Sequence, residues 1–209
     1  MPSLAFVTGD FKVFDVEGFR PRMAELRSRV RPKLEVLGKS LAPAVSRSLG
    51  GEVFAHVAKH ARRTVNPPDD TWVAFSPDAR GYKKHCHFKV AVSRHSVRFL
   101  FEVGPEHADK KRWAAAWKKN APKLAPVLRR VKSLAWFKNE HDEELAARLA
   151  DLTPEAISEL ADELLRTRDG QLVIGRAVPA EQAARWSEAE YRAGALETFR
   201  ALVPLYRLR

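Results

Sequence analysis

The sequence predicts an α+β fold: one domain over residues 1–209, with helices packed on a mainly antiparallel sheet. Three observations carry that reading. Apolar residues recur at spacings of three and four within residues 23–49, 153–165 and 187–202, which is the helical period. Phe88–Val92 and Val97–Val103 instead alternate bulky apolar side chains with smaller or polar ones, the period of a strand. No linker, repeat or low-complexity segment separates the helical from the extended portions, and 209 residues suffice to bury a core.

The first helix is read from Met23, Leu26, Val30, Leu34, Leu37, Leu41, Val45 and Leu49, which form one apolar stripe. Pro21 suits a first helical turn, Pro32 and Pro43 should kink or interrupt the stripe, and Gly50-Gly51 should end it. Glu52–Thr64 fits either a helical stripe through Val53, Phe54, Val57, Ala58 and Ala61, or a strand pairing with Trp72–Phe75; the strand is preferred. Between them Asn66-Pro67-Pro68-Asp69-Asp70 combines two fixed φ angles with turn-forming acids and stops any regular element. Arg94-His95-Ser96 is short enough to join the next two strands as a hairpin. Phe88, Val90, Val92, Val97, Phe99, Phe101 and Val103 then face the core, while His87, Lys89 and Arg98 share the other face.

Ala108–Phe137, rich in Ala, Leu, Lys and Trp, is expected to be helical and divided by Pro122 and Pro126. Thr153-Pro154-Glu155 starts a helix whose buried stripe is Ile157, Leu160, Ala161, Leu164 and Leu165, with Gly170 after its end. Leu172-Val173-Ile174 reads as a strand. Ser187 and Glu190 form a capping box before Tyr191, Ala195, Phe199 and Leu202, the apolar face of the last helix.

Composition is ordinary for a globular chain, 45% hydrophobic and 30% charged. The longest uninterrupted apolar run, Trp113 to Trp117, is too short for a membrane span or for the apolar region of a secretory signal. The single cysteine, Cys86, cannot form an internal disulfide, so a cytoplasmic location is expected. The net charge is +11, unevenly placed: residues 1–139 hold 28 Lys+Arg against 12 Asp+Glu, and residues 140–209 hold 9 against 14. Such a field attracts nucleic acid, phosphorylated metabolites or the acidic C-terminal third itself, although long basic side chains also simply solvate helix faces.

No Walker loop, G-x-G-x-x-G, G-x-S-x-G elbow or cysteine-pair zinc signature occurs. Three groupings remain. His56-x3-His60 with His85-Cys86-His87 has ligand chemistry but no tight ligand-pair spacing, so no metal and no cofactor are expected. Trp113, Trp117, Trp136 and Phe137 lie among lysines and arginines where they could stack bases, but Trp113 and Trp117 at i,i+4 are more cheaply explained by one buried helix face. Lys59-His60-Ala61-Arg62-Arg63-Thr64, joined by Arg80-Gly81-Tyr82-Lys83-Lys84, offers guanidinium forks and point charges suited to phosphate. The competing role for Arg62 and Arg63 is pairing with Asp69, Asp70 or Asp78 to fix the turn.

The string His56-Val-Ala-Lys-His-Ala-Arg-Arg-Thr-Val-Asn-Pro-Pro-Asp-Asp-Thr-Trp-Val-Ala-Phe75, continuing to Arg80-Gly-Tyr-Lys83 and His87-Phe88, resembles the YktB-like family of bacterial proteins, a domain of unknown function. Arg22-Met23, Arg31-Pro32-Lys33 and Leu41-Ala42-Pro43 are similar as well, whereas His85 and Cys86 depart from the pattern. The resemblance implies a two-layer arrangement of helices on an antiparallel sheet and bacterial cytosolic residence, with no assigned activity, cofactor or catalytic residue. The residues themselves point first to an anion-binding module. In it His56, His60, Arg62, Arg63, Arg80, Lys83 and His87 converge on a polar cleft for a phosphate-bearing ligand, nucleotide or nucleic acid. A small-molecule enzyme using His56, His60 or His87 for acid–base chemistry is the alternative, and a structural or protein-interaction domain is the third.

Overall fold

The computed structural model describes residues 3–208. A short helix α1 (Thr8–Phe11) and a 3-10 turn (Lys12–Asp15) lead into α2 (Phe19–Glu25), a π-helical turn (Leu26–Val30) and α3 (Arg31–Leu49). The expected stripe is buried from Met23 to Val45, but its prolines do not interrupt it. Pro32 lies in the first turn of α3, and the turn before it widens so that the Arg31 N–H reaches the Leu26 carbonyl. A ring at position 32 crowds the carbonyl four residues back and has no N–H to offer it, and a wider turn accommodates both. Pro43 is carried inside α3, which ends at Gly50 with φ 77°. That left-handed conformation suits glycine and lets its N–H return to the Ser46 carbonyl at 2.9 Å.

Four strands follow: β1 (Phe54–Val57), β2 (Asp70–Ser76), β3 (His87–Ser93) and β4 (Ser96–Val103). Residues 54–57 thus take the preferred strand conformation and pair with β2 across the proline turn, Val57 opposite Val73. The β3–β4 hairpin turns on Arg94-His95. Next come α4 (Lys110–Arg130), β5 (Ala135–Phe137), β6 (Ala147–Arg148), α5 (Pro154–Arg166), β7 (Leu172–Pro179), α6 (Ala180–Ala183) and α7 (Glu188–Tyr206). The sheet order is β1-β2-β3-β4-β7-β5-β6, with every pairing antiparallel.

Two expectations for residues 108–137 are corrected. Pro122 and Pro126 do not divide α4; both are exposed, so the carbonyls they leave unbonded lie on the solvent side of the helix. Trp136 and Phe137 belong to β5, where they pair with Ile174 and Val173. In α5 the Thr153 side chain caps the helix by accepting from the Ala156 N–H, while Leu165, expected in the buried stripe, is 44% exposed. The capping box of Ser187 and Glu190 forms at the start of α7 as read.

Helices cover one face of the sheet. Phe88, Val90, Val92, Val97, Phe99, Phe101 and Val103 meet them there, all fully buried. Trp113 packs on Phe101 at 6.0 Å and stacks on Trp117 at 5.6 Å. The Trp117 indole N–H donates to the Ile157 carbonyl at 3.0 Å, tying α4 to α5. At Gly38 a Cβ would lie 3.0 Å from Ala55 Cβ and from Val73 Cγ2, so glycine is what lets α3 rest on β1 and β2. The opposite face carries a small apolar cluster of Leu100, Ala135, Phe137 and Val173, together with Trp72, Ala74, Ala91 and a set of polar side chains. No helix among the described residues is long and apolar enough to cross a membrane.

Candidate functional site

Strand alternation places Asp70 and Trp72 of β2, His87 and Lys89 of β3, and Arg98 and Glu102 of β4 on the polar face. This face is not solvated. Asp70, His87, Lys89, Arg98 and Glu102 are each at most 3% exposed, beneath the segment that joins β5 to β6. Arg98 donates to Asp70 Oδ2 at 2.8 Å and to the carbonyls of Glu140 and Asp142 at 2.9 and 2.6 Å. Lys89 pairs with Glu140 and, at 3.3 Å, with Glu102, and its ammonium stands 4.4 Å from the Trp72 ring. Ser93 donates to Glu143.

A fully buried ammonium is tolerable only when its partners are close. Burial alone would lower the Lys89 pKa; Glu102, Glu140 and Asp70 outweigh it and hold the group above its ordinary value. Burial likewise opposes ionisation of Glu102 and Asp70. Lys89 and His87 keep Glu102 low, while the His141 hydrogen bond and Arg98 do the same for Asp70.

Beside this cluster lies an open cleft of about 770 Å³, between the chain leaving β1 and the loop that precedes β3. It brings together six of the seven residues named from the sequence: His56, His60, Arg62, Arg63, Arg80 and Lys83. Lys59 and Lys84 join them, giving six Lys/Arg side chains against two carboxylates, Asp78 and Glu106. His87 is not in the lining. Its ring lies under the cleft, 4.8 Å from Tyr82, with Nδ1 donating to the His85 carbonyl at 3.0 Å and Nε2 3.3 Å from Glu102. The pleat that puts His87 on the polar face also puts it in the buried cluster.

Aromatic rings form part of the cleft wall. The Trp72 indole N–H donates to the Tyr82 hydroxyl at 2.9 Å, and burial pushes that phenol up to about 12. His56 lies in β1 and donates through Nε2 to the Asp78 carbonyl at 2.9 Å. His60 lies beyond the strand, at φ 50°, the one non-glycine residue with positive φ among the described residues. That turn sets its ring edge-on to Trp72 at 5.3 Å, with Nε2 3.1 Å from Thr71 Oγ1. Burial, helped by Arg63 and His141, brings its pKa down to about 4, so the imidazole is neutral at pH 7.

The turn acids do not claim the two arginines. Asp69 pairs with Arg22 at 3.3 Å, Asp70 is committed to Arg98 and His141, and Asp78 pairs with Arg80 at 3.5 Å. Arg63 donates to the Pro67 carbonyl at 3.4 Å, and neither Arg62 nor Arg63 has an ion-pair partner among the described residues. By contrast, the basic run from Arg80 to Arg98 is largely neutralised by distant carboxylates: Lys83 meets Glu106 at 2.8 Å and Arg94 meets Asp15 at 2.5 Å.

Asp70 and His141 are the functional candidates that spacing did not reveal. His141 Nδ1 donates to Asp70 Oδ1 at 3.0 Å across 71 positions of sequence, and that bond raises the imidazole pKa. The available signal was opposite charge on one face of three adjacent strands, with Asp70 on β2 and Lys89 and Arg98 on the hairpin. The His85-Cys86-His87 grouping is dispersed: His85 lies 3.8 Å from Asp78, Cys86 donates to the Tyr206 carbonyl at 3.7 Å, and His87 faces Glu102. Among the described residues no group of three or more His, Cys, Asp or Glu side chains is arranged to hold a metal ion.

Fold and site together define an α+β protein of one antiparallel sheet, helices on one face, and a basic cleft beside a buried ionic cluster on the other. Residues 6–206 match the family described as Domain of unknown function (DUF1054). A UPF0637 protein of Macrococcus caseolyticus is 35% identical over 206 residues, covering 99% of this chain and 100% of the relative. One from Bacillus licheniformis is 35% identical over 208 residues, covering 100% and 97%, and one from Staphylococcus aureus is 31% identical over 206 residues, covering 99% of each. The chain belongs to this DUF1054 family, the YktB-like proteins that its His56–Phe75 string resembles.

Proposed function

We propose that the protein binds a small phosphate-bearing anion of the nucleotide class in the cleft. The observation that carries this reading is the state of Arg62 and Arg63: two exposed guanidinium groups on one cleft wall, with the nearby turn acids all paired elsewhere. Like charges brought together repel unless an anion neutralises them, and guanidinium binds phosphate oxygens in pairs. The volume lies within the usual range for small-molecule sites. Trp72 and Tyr82 add aromatic surface to a wall of cations, which favours an anion that also carries a ring. Nucleic acid is the extended form of the same chemistry; a small concave site favours the mononucleotide.

A thermal-shift panel of inorganic phosphate, adenosine 5′-monophosphate, adenosine 5′-triphosphate and a short oligonucleotide tests the reading. A mononucleotide at 100 times its Kd stabilises the fold by about 2.7 kcal/mol. Stabilisation by the oligonucleotide alone, with affinity falling steeply with salt, would assign the cleft to nucleic acid instead. No shift with any phosphate compound contradicts the proposal.

A further inference from the structure

We propose that Asp70 and His141 form an acid–base dyad that hydrolyses a phosphate monoester held in the basic cleft, with His141 protonating the departing alcohol; this rests on the cleft reading above. The Asp70 side chain is 4% exposed, and both of its oxygens are committed, Oδ2 to Arg98 at 2.8 Å and Oδ1 to His141 at 3.0 Å. An imidazole that gives its Nδ1–H to a buried carboxylate is fixed in orientation and presents Nε2. Here Glu140 Oε1 lies 3.8 Å from Nε2, beyond hydrogen-bond reach, and the His141 side chain is 47% exposed. Its ring packs on Trp72 at 5.9 Å, while His60 of the cleft packs on the same indole at 5.3 Å, so Trp72, which lines the cleft, also carries His141, a residue beside the lining rather than in it.

Anchoring the β5–β6 segment does not require His141. Arg98 already holds the Glu140 and Asp142 carbonyls, Lys89 holds the Glu140 carboxylate, and Ser93 holds Glu143. The groups facing the imidazole are Asp70 from β2, Glu140 from its own segment, Lys89 from β3 and His60 from the cleft. The Asp70 hydrogen bond and the nearby Glu140 carboxylate favour a proton on His141 and outweigh burial and Lys89. That suits an acid, and it is opposite to His60, which burial keeps neutral; such divergence between neighbouring groups marks acid–base sites.

In the step, water attacks phosphorus and a new P–O bond forms while the bond to the alcohol oxygen breaks with its electron pair. The Nε2 proton passes to that oxygen and releases the alcohol. Both water protons leave with the product as dihydrogen phosphate, and the imidazole regains its proton from solvent.

The test compares phosphate release from adenosine 5′-monophosphate with p-nitrophenol release from p-nitrophenyl phosphate, alongside calorimetric binding of adenosine 5′-monophosphate. The expected result is turnover of both esters by the wild type. His141→Gln should lower kcat for the nucleotide by about 10²–10⁴ and the aryl ester far less, because nitrophenolate departs without a proton. It should also abolish the alkaline fall of the nucleotide profile while leaving nucleotide binding intact. Binding without turnover of either ester by the wild type overturns the dyad and leaves the cleft standing. Equal losses on both esters in His141→Gln overturn it too, making His141 structural. Absence of nucleotide binding by the wild type overturns the cleft, and the dyad with it.

Discussion

Lys89 shows why residue type alone did not reveal the site. A lysine alternating with valines reads as the solvated side of a strand, yet this one is fully buried between carboxylates that arrive from β4 and from residue 140. Removing one member of such a cluster leaves the others buried and uncompensated. Lys89→Met should therefore lower the urea-unfolding free energy by about 3–5 kcal/mol; a change within the error of the extrapolation would show that the cluster is not electrostatically coupled. His60 gives a prediction of defined sign. Its folded pKa of about 4 lies below the unfolded value of 6.5, so between those values the unfolded chain binds the extra proton and stability falls as pH falls. His141 is raised instead, so its contribution is complete below 6.5 and is lost as pH rises through the folded value. Melting temperatures across pH 4–7 should flatten on the acid side in His60→Asn, and an unchanged acid slope would remove His60 as a source of that loss.

At the scale of elements, periodicity was sufficient wherever an element buries one face. The α3 stripe, the β3–β4 hairpin and the caps at Thr153 and Ser187 all follow from local chemistry. The cost of a proline depends on whether the preceding turn can widen and on where the freed carbonyl points. At Pro122 and Pro126 that is the solvent side of α4, and at Pro32 a π turn absorbs the ring. The close approach of α3 to the sheet has no periodic signature, because it depends on a missing side chain. Gly38→Val should cost about 1–3 kcal/mol by forcing α3 from Ala55 and Val73. Gly51→Ala, where an added Cβ meets nothing within 4 Å, is the control that should leave the unfolding midpoint near that of the wild type.

Across the whole molecule, the sheet and its helical layer were legible because hydrophobic pattern is a local signal. The pairing of charge was not, because it is long-range. Beside Glu102 from within the hairpin, the basic run around β3 and β4 draws carboxylates from the first 20 residues, from β2 and from the acidic C-terminal third, all remote in sequence. Of the basic side chains without an ion-pair partner among the described residues, Lys59, Arg62, Arg63 and Lys84 share one cleft, and the candidate site is therefore a property of the completed charge distribution. Sequence placed six cleft residues near one another through the proline turn, but it set His87 in the lining and overlooked the Asp70–His141 pair. The pleat of β3 carries His87 onto the buried polar face, where it meets Tyr82 and Glu102.

Titration calorimetry of adenosine 5′-monophosphate into the wild type and into the Arg62→Ala/Arg63→Ala variant, at low and physiological salt, tests the central claim most directly. Charge-assisted hydrogen bonds to phosphate contribute about 1.5–3 kcal/mol each. The double variant, both of whose substitutions lie on exposed residues, should thus bind at least about tenfold more weakly while melting within a few degrees of the wild type. Equal affinity in the two proteins, or no binding heat in the wild type at millimolar nucleotide, would contradict the assignment of this cleft to a phosphate-bearing ligand.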